Sequence, residues 1–272
     1  MRLNARSIPL VAGAALVIIT SSSAARAQDV ARLDSVSVNG ITQCYREAGT
    51  GPALLLLHGF GNSGVQWLRF LPELVQKYRV IMPDLRGHGC STNPTRTFTH
   101  RQAALDIYAL LDSLRIRTVA AIGASSGAMT LLHMATSQPA RISELVLVAG
   151  TTHFPDQARP ILGRGQVPDL SAASLRTHPR GEEQIRQLQE QFNAFQDSYD
   201  DMTFTPQSLG SISARTLIIH GDRDHLFPVE IAVSLYRGIR NSQLYIVPNG
   251  GHSLMGNPSV MSAARAFLSP AP

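Results

Sequence analysis

Ser125 stands at the centre of residues 123–127, which read Gly-Ala-Ser-Ser-Gly, a Gly-x-Ser-x-Gly pattern. An apolar run at 119–122 precedes the pattern and a helical one follows, so the serine lies where a strand turns into a helix. The turn requires small flanking residues, because a Cβ at either glycine would collide with the neighbouring strand or helix. It places the hydroxyl at a helix N-terminus, where backbone N–H groups favour developing negative charge. We interpret Ser125 as a nucleophile; an ordinary glycine-rich turn is the alternative.

The adjacent Ser126 is off the centre of the pattern, and we expect only its backbone N–H to take part, as one donor to an oxyanion. The second donor is expected from residues 58–63, a glycine-rich loop that follows an apolar strand and directs the N–H of Phe60 towards the site. Two donors fixed in advance stabilise a tetrahedral oxyanion by ~3 kcal/mol each. The His58 side chain in this loop is interpreted as structural, a ring that braces the loop by hydrogen bonds.

A base must lie within reach of Ser125, and His252 is the best placed histidine. It follows two glycines directly after the last predicted strand, at the edge where open α/β sheets place their sites. Other candidates lie in a glycine-rich loop, on a helix face, in a long insertion or at the end of a packed strand: His88, His133, His153, His178 and His220. We therefore expect His252 to accept the proton of Ser125.

The acid that orients the base should lie between the serine and the histidine in the chain. Residues 221–224 read Gly-Asp-Arg-Asp after a predicted strand and offer two carboxylates, Asp222 and Asp224. Asp222 is expected to be a turn residue that bonds nearby backbone. Asp224 is further out, where a carboxylate can reach the imidazole, and we assign it the orienting role.

The elements that must position these residues alternate along the chain. Apolar runs predict strands, and apolar residues at helical spacing predict helices. Strands are predicted at 53–57, 80–82, 119–122, 145–148, 216–219 and 244–247, and helices at 100–114, 126–136, 232–239 and 260–268. The alternation predicts an α/β fold, a mostly parallel twisted sheet covered by helices on both faces. A hairpin over 36–47, turning at Asn39 and Gly40, adds an antiparallel edge.

Residues 151–212 interrupt this alternation and are far longer than an ordinary connection. We interpret them as an insertion into a core made of residues 28–150 and 213–272. A helix predicted at about 182–198 carries one apolar face: Ile185, Leu188, Phe192 and Phe195. Either this face packs inside the insertion, or part of it roofs a cleft above Ser125, with Phe192 and Phe195 contacting substrate.

Residues 1–27 have the order of a secretory signal peptide: arginines, an apolar run of 12 residues at 8–19, then small residues ending in Ala-Arg-Ala. The run is too short to span a bilayer comfortably, so we expect cleavage after Ala27 and a secreted or periplasmic protein. An uncleaved membrane anchor is the alternative. Without this leader the chain carries 21 basic and 19 acidic residues. No basic stripe with interleaved aromatic residues is present, which argues against nucleic acid as a partner.

Taken together, the chain resembles the α/β-hydrolase superfamily, in its branch with a serine nucleophile and a helical cap. Five motifs carry the resemblance: Leu-His-Gly-Phe-Gly at 57–61, Pro-Asp-Leu-Arg-Gly-His-Gly-Cys-Ser at 83–91, Gly-Ala-Ser-Ser-Gly at 123–127, Gly-Asp-Arg-Asp at 221–224 and Gly-Gly-His at 250–252. The acid of the family's Gly-x-x-Asp motif is its last residue, which supports Asp224. Ser126 departs from the family's usual Met, and Gly127-Ala128 from its usual Gly pair.

The resemblance implies the α/β-hydrolase fold with an inserted helical cap. It implies hydrolysis of an ester or lactone of a small apolar substrate through an acyl-enzyme on Ser125, with no cofactor, no metal and no stable membrane anchor after leader removal. Relatives also include carbon–carbon bond hydrolases and cofactor-free haloperoxidases, which stay as alternatives. Relatives with dehalogenase or epoxide hydrolase activity use Asp as nucleophile, so Ser125 argues against both. A non-catalytic ligand-binding protein of this fold is the remaining alternative, and the oligomeric state is left open.

The two cysteines, Cys44 and Cys90, lack the spacing of a metal site. In the fold that the chain resembles, the second strand lies beside the fourth and runs antiparallel to it. Cys44 is on the former and Cys90 follows the latter. A disulfide requires Cα atoms within ~7 Å, and both a disulfide and two free thiols remain open.

Overall fold

The computed structural model describes residues 31–163 and 169–268. The predicted leader at 1–27 lies outside these residues. Within the two described ranges, the structure has no helix with the length and apolar character needed to cross a membrane.

The core is one eight-stranded sheet in the order β1-β2-β4-β3-β5-β6-β7-β8. The strands are β1 Arg32–Val38, β2 Ile41–Ala48, β3 Ala53–Leu57, β4 Arg79–Pro83, β5 Val119–Ala124, β6 Ile142–Val148, β7 Arg215–Gly221 and β8 Ser242–Val247. β1 pairs antiparallel with β2, and β2 with β4, whereas every later pair is parallel. The predicted α/β fold with an antiparallel hairpin at its edge is therefore confirmed.

Helices cover both faces of the sheet because β3 and β5 have apolar side chains on both faces, and each face must be shielded from water. The α-helices are α1 Leu71–Leu74, α2 His100–Ser113, α3 Ser126–Ser137, α4 Arg159–Gly163, α5 Ala172–Thr177, α6 Gly181–Asn193, α7 Pro206–Gly210, α8 Val229–Gly238 and α9 Pro258–Leu268. One core cluster joins the sheet to α2, α3 and α8. A second joins the other face to α9 and to the 3₁₀ helix Gly64–Phe70.

Helices α4 to α7 all lie between β6 and β7, in the predicted insertion. The single helix expected over 182–198 is wrong at its end, since α6 stops at Asn193 and a 3₁₀ helix, Ala194–Asp197, follows. Tightening to three residues per turn brings positions i and i+3 onto the same side. Phe195 therefore keeps the side of Phe192, and the apolar face persists although the helix type changes.

Cys44 in β2 and Cys90 in the loop after β4 form a disulfide, with Cα atoms 5.7 Å apart. Of the two alternatives that the sequence leaves open, the structure has the disulfide and not two free thiols. The loop is also held by hydrogen bonds, since the N–H of Cys44 donates to Ser91 Oγ at 2.8 Å. In the antiparallel β2–β4 pair Tyr45 lies opposite Pro83, the last residue of β4, so Cys44 is next to the point where the loop that carries Cys90 begins.

Candidate active site

The turn between β5 and α3 holds Ser125 in an unusual backbone conformation, with φ +50° and ψ −117°. A Cβ added to Gly123 would lie 2.5 Å from the backbone carbon of Gly127, and one added to Gly127 would lie 2.2 Å from the carbonyl oxygen of Leu57. Both contacts are impossibly short, which confirms why the sequence has glycine on either side. The turn directs the Ser125 side chain away from the core at the carboxyl edge of the sheet.

The structure brings the three predicted side chains together. Ser125 Oγ lies 2.9 Å from His252 Nε2, and His252 Nδ1 lies 2.8 Å from Asp224 Oδ2. His252 follows β8 and Asp224 follows β7, so two neighbouring parallel strands deliver the base and the acid to one edge. We call these three residues the open chain, because its serine and histidine line the cavity described below.

Asp224 is prepared to hold the imidazole in one orientation. Its second oxygen accepts hydrogen bonds from the backbone N–H groups of Leu226 at 2.9 Å and Phe227 at 3.0 Å. Burial raises the pKa of this carboxyl, but the hydrogen bond and charge of His252, with the two N–H groups, outweigh burial and lower the pKa. A carboxylate can only accept, so Nδ1 carries the proton and Nε2 is free to accept from Ser125. Asp222 is exposed and takes no part in this chain.

His58 braces the loop after β3, as predicted for a structural role. Its Nε2 accepts from the N–H of Leu85 at 2.9 Å, so its Nδ1 carries the proton and donates to the carbonyl of Gly59 at 2.8 Å. Burial lowers the pKa of this ring to about 4, which keeps it neutral at ordinary pH. His220 is likewise packed, with Nε2 2.9 Å from the carbonyl of Phe227.

Phe60 and Ser126, the two residues expected to supply oxyanion donors, lie in the wall of the cavity that also holds Ser125. Ser126 is the first residue of α3, so its N–H has no acceptor within the helix. The loop of Phe60 passes close to Ser125, because a Cβ added to Gly59 would lie 3.6 Å from Ser125 Cβ.

A cavity of about 540 Å³ opens over the open chain. Its larger part is apolar and is built from the core and the insertion together: Met129, Phe154, Leu162, Phe192, Phe195, Leu226 and Phe227. Polar side chains also line it: Asn62, Gln66 and Arg69. Both phenylalanines named from the sequence therefore line the cavity, and their rings pack on Phe60 at 5.5 and 5.2 Å. Ile185 and Leu188 of the same predicted face are buried elsewhere.

Sequence reasoning missed much of this lining and one polar pair, His100 and Asp201. Ser126, the neighbour of Ser125, has its Oγ 3.1 Å from His100 Nε2, and His100 Nδ1 lies 2.7 Å from Asp201 Oδ2. One signal could have found His100: it stands three, four and seven residues before the apolar positions of α2, on the same helix face. Asp201 had no such signal, because it is 101 residues away in the chain.

Comparison with known proteins agrees with this geometry. A family described as alpha/beta hydrolase fold matches residues 52–169, and one described as TAP-like protein matches residues 195–271. A meta-cleavage product hydrolase from Pseudomonas fluorescens has the same fold, with a TM-score of 0.71 at 21% identity, over 86% of this chain and 96% of that one.

Three curated relatives are similar in sequence. The pimeloyl-[acyl-carrier protein] methyl ester esterase of Vibrio atlanticus is 26% identical over 84% of this chain and 96% of its own length. The 2-hydroxy-6-oxo-6-(2'-aminophenyl)hexa-2,4-dienoic acid hydrolase of Metapseudomonas resinovorans is 24% identical over 86% and 90%. The magnesium-chelatase 30 kDa subunit of Rhodobacter capsulatus is 39% identical, but the match spans only 42% of each chain. The matched families, the sheet order and these relatives agree, and the chain belongs to the α/β-hydrolase superfamily.

Proposed function

We propose that this protein is a serine hydrolase that cleaves a carboxylic ester, or a lactone, of a small apolar substrate through an acyl-enzyme. The observation that carries the proposal is the open chain itself: a hydroxyl, an imidazole and a buried carboxylate joined by hydrogen bonds of 2.9 and 2.8 Å at the wall of a cavity. This arrangement is what activation of a serine nucleophile requires.

The reaction follows from the positions of these groups. His252 Nε2 takes the proton of Ser125 Oγ while that oxygen attacks the carbonyl carbon, and Asp224 stabilises the resulting imidazolium. The N–H groups of Phe60 and Ser126 receive the oxyanion of the tetrahedral intermediate. As the carbon–oxygen bond of the ester breaks, His252 returns the proton to the leaving alcohol. A water then gives its proton to His252, attacks the acyl carbon and releases the acid, regenerating Ser125 Oγ–H.

The cavity supports an apolar substrate. Phenylalanine rings and aliphatic side chains form most of its lining, so an acyl or alcohol group of similar character loses water contact on binding there. A volume of about 540 Å³ suits a small molecule, not a polymer. The ester-cleaving relative from Vibrio atlanticus matches nearly this whole chain, which supports ester chemistry.

The first experiment is labelling with a fluorophosphonate probe, read by intact mass. Wild-type protein is expected to take up one probe, and the Ser125→Ala variant none. The Ser126→Ala variant is the matched control, because the adjacent hydroxyl is lost while the nucleophile stays. A folded wild-type protein that takes up no probe contradicts the proposal and leaves the ligand-binding alternative. Rates on p-nitrophenyl esters of increasing chain length and on lactones then define the substrate.

One feature of the cavity favours carbon–carbon bond hydrolysis as a second candidate. Among the described residues that line the cavity, Arg69 is the one guanidinium, so the lining is divided between one cation and a majority of apolar side chains. The substrate named for the Metapseudomonas relative joins a carboxylic acid to an aminophenyl group, which fits such a division. Arg69→Gln should raise KM for an aryl dienoate while leaving KM for a neutral ester unchanged. Equal effects on both substrates, or no dienoate cleavage, exclude this candidate.

We also propose that the protein is exported and acts in the periplasm or outside the cell. The order of residues 1–27 supports export, and so does the disulfide, because structural disulfides persist mainly in oxidising compartments. Cell fractionation with N-terminal sequencing tests this, and a chain that retains its first residues in the cytosolic fraction contradicts it.

A further inference from the structure

A second Ser–His–Asp set lies next to the open chain and is made of Ser126, His100 and Asp201. The Ser126 Oγ to His100 Nε2 distance is 3.1 Å, and the His100 Nδ1 to Asp201 Oδ2 distance is 2.7 Å. Its histidine is 0% exposed and its serine 2%. We call this set the buried chain. Two adjacent serines thus begin two separate hydrogen-bonded chains that run into different parts of the protein.

The proton positions in the buried chain follow from its acid. Burial raises the pKa of Asp201, but the hydrogen bonds and charge of His100 and the backbone N–H of Arg101 outweigh burial and lower the pKa to about 2. The ionised carboxylate of Asp201 accepts hydrogen bonds from the backbone N–H of His100 at 2.8 Å and from the backbone N–H of Arg101 at 3.1 Å. It also accepts one from the ring Nδ1–H of His100. On a neutral ring Nε2 then accepts from the Ser126 hydroxyl.

The buried chain joins three separate elements. Ser126 begins α3, His100 begins α2, and Asp201 follows the 3₁₀ helix Ala194–Asp197 of the insertion. Phe195 from that 3₁₀ helix packs its ring on His100, with centroids 5.1 Å apart. The insertion is therefore connected, through one imidazole, to the residue whose N–H faces the expected oxyanion.

We propose that His100 and Asp201 are positioning residues: they fix the Ser126 peptide through its side chain and so hold the oxyanion donor in place relative to the insertion. This inference rests on the proposed function. Oxyanion stabilisation depends on donors held in advance, and loss of one whole donor costs ~10²–10³-fold in kcat. A donor that stays but moves should cost less, about 10-fold.

The buried chain is not a second nucleophile site. The Ser126 hydroxyl is buried against His100, and its residue is in ordinary helical conformation, whereas Ser125 is held at φ +50°. A nucleophile needs an approach path for a carbonyl carbon, and Ser126, although it lines the cavity, is only 2% exposed and has its Oγ hydrogen-bonded to His100.

The test is a double-mutant cycle on ester hydrolysis with wild type, Ser126→Ala, His100→Phe and the double variant. Each single variant is expected to lower kcat about 10-fold with KM within about twofold, because the donor acts on the oxyanion and not on the bound ester. The double variant is expected to match the singles, since one hydrogen bond is lost in all three. Chemical denaturation reports the fold of each variant separately.

His133→Phe is the matched control, because His133 Nε2 also lies near Asp201, 3.7 Å from Oδ1, but does not contact Ser126. It should keep kcat within about twofold. A double variant that falls about 100-fold, an effect on KM instead of kcat, or an equal loss in His133→Phe overturns the inference. If His100→Phe does not fold, Ser126→Ala alone decides, and an unchanged kcat overturns it. If the wild-type protein takes up no fluorophosphonate probe, the proposed function itself fails, and that result is distinct from a failure of the inference.

Discussion

The open chain and the buried chain have the same three residue types, begin at adjacent serines and have hydrogen bonds of similar length. They differ in access: the His252 side chain is 14% exposed, whereas that of His100 is 0% exposed. They also differ in the backbone conformation of the serine, since Ser125 has a positive φ and Ser126 does not. The composition of a Ser–His–Asp set therefore does not decide its role; the local backbone and a path for substrate do.

The acids of the open chain and the buried chain, Asp224 and Asp201, have nearly the same electrostatic surroundings. Asp224 accepts from two backbone N–H groups and one imidazole, and so does Asp201. Both carboxyls have a lowered pKa for the same reason. A carboxyl with a lowered pKa beside a histidine is thus a buried carboxylate whose hydrogen bonds are satisfied, whether or not its Ser–His–Asp set contacts substrate.

Replacing each serine in turn should give the largest difference in kcat between the open chain and the buried chain. Ser125→Ala is expected to lower kcat for ester hydrolysis by ~10⁶-fold, because loss of one member of a triad costs nearly as much as loss of all. Ser126→Ala keeps the backbone N–H and should cost about 10-fold. Steady-state kinetics with circular dichroism on both variants measures this. An active Ser125→Ala beside a dead Ser126→Ala would reverse the two roles.

Replacing each acid by its amide gives the next largest difference. Asp224→Asn should lower kcat ~10⁴-fold, because the amide favours the tautomer of His252 that cannot accept the Ser125 proton. Asp201→Asn should cost less than about 10-fold, since the Ser126 hydroxyl can accept from a reversed imidazole as well as donate to one. Equal losses in the two variants would mean that the buried chain also transfers a proton.

Acidic pH should remove the contribution that Asp201 of the buried chain makes to the free energy of unfolding. The pKa of Asp201 is lowered to about 2 in the folded protein, so its stabilisation is complete above pH 4 and is lost as the pH falls from about 4 to about 2. The difference in free energy of unfolding between wild type and Asp201→Asn should shrink by ~2 kcal/mol over that range. Urea unfolding at several pH values measures it, with exposed Asp156→Asn as control. A constant difference contradicts the prediction.

The two phenylalanines of the insertion give the finest distinction. Phe192 and Phe195 both line the cavity, but Phe195 also packs on His100. Each change to Ala should shift selectivity between a short and a long ester by about 10-fold, a free energy of ~1–2 kcal/mol for lost apolar contact. Only Phe195→Ala should also lower kcat on the short ester. Variants that lose thermal stability alone, with selectivity unchanged, would show that these rings are merely core.

Much of the fold was predictable because local patterns determine it. Continuous apolar runs marked β3 and β5. The Asn39–Gly40 turn marked the hairpin over 36–47, whose last residue is one short of the observed end, although β1 begins four residues earlier, at Arg32. The neighbourhood of Ser125 was equally predictable, because a strand, a tight turn and a helix follow one another within a few residues and leave room for glycine alone at positions 123 and 127.

The cavity and the buried chain were not predictable in this way. The cavity walls come from loops far apart in sequence, from Phe60 to Leu254, and no spacing rule relates them. The contact between His100 and Asp201 depends on how the insertion returns to the core. Composition alone also could not show that α6 ends in a 3₁₀ turn, since the apolar period is compatible with both helix types.

The disulfide has a consequence for the unfolded chain. Cys44 and Cys90 are 46 residues apart and enclose β3, the Phe60 loop and β4. Closing a ring of that size removes many conformations from the denatured ensemble, which the chain-entropy description values at ~4 kcal/mol at room temperature. The strand and loop that carry one proposed oxyanion donor therefore lie inside a covalent ring, whereas Ser125, Asp224 and His252 lie outside it. A reducing environment would thus lower the cost of unfolding while breaking no bond within the open chain itself.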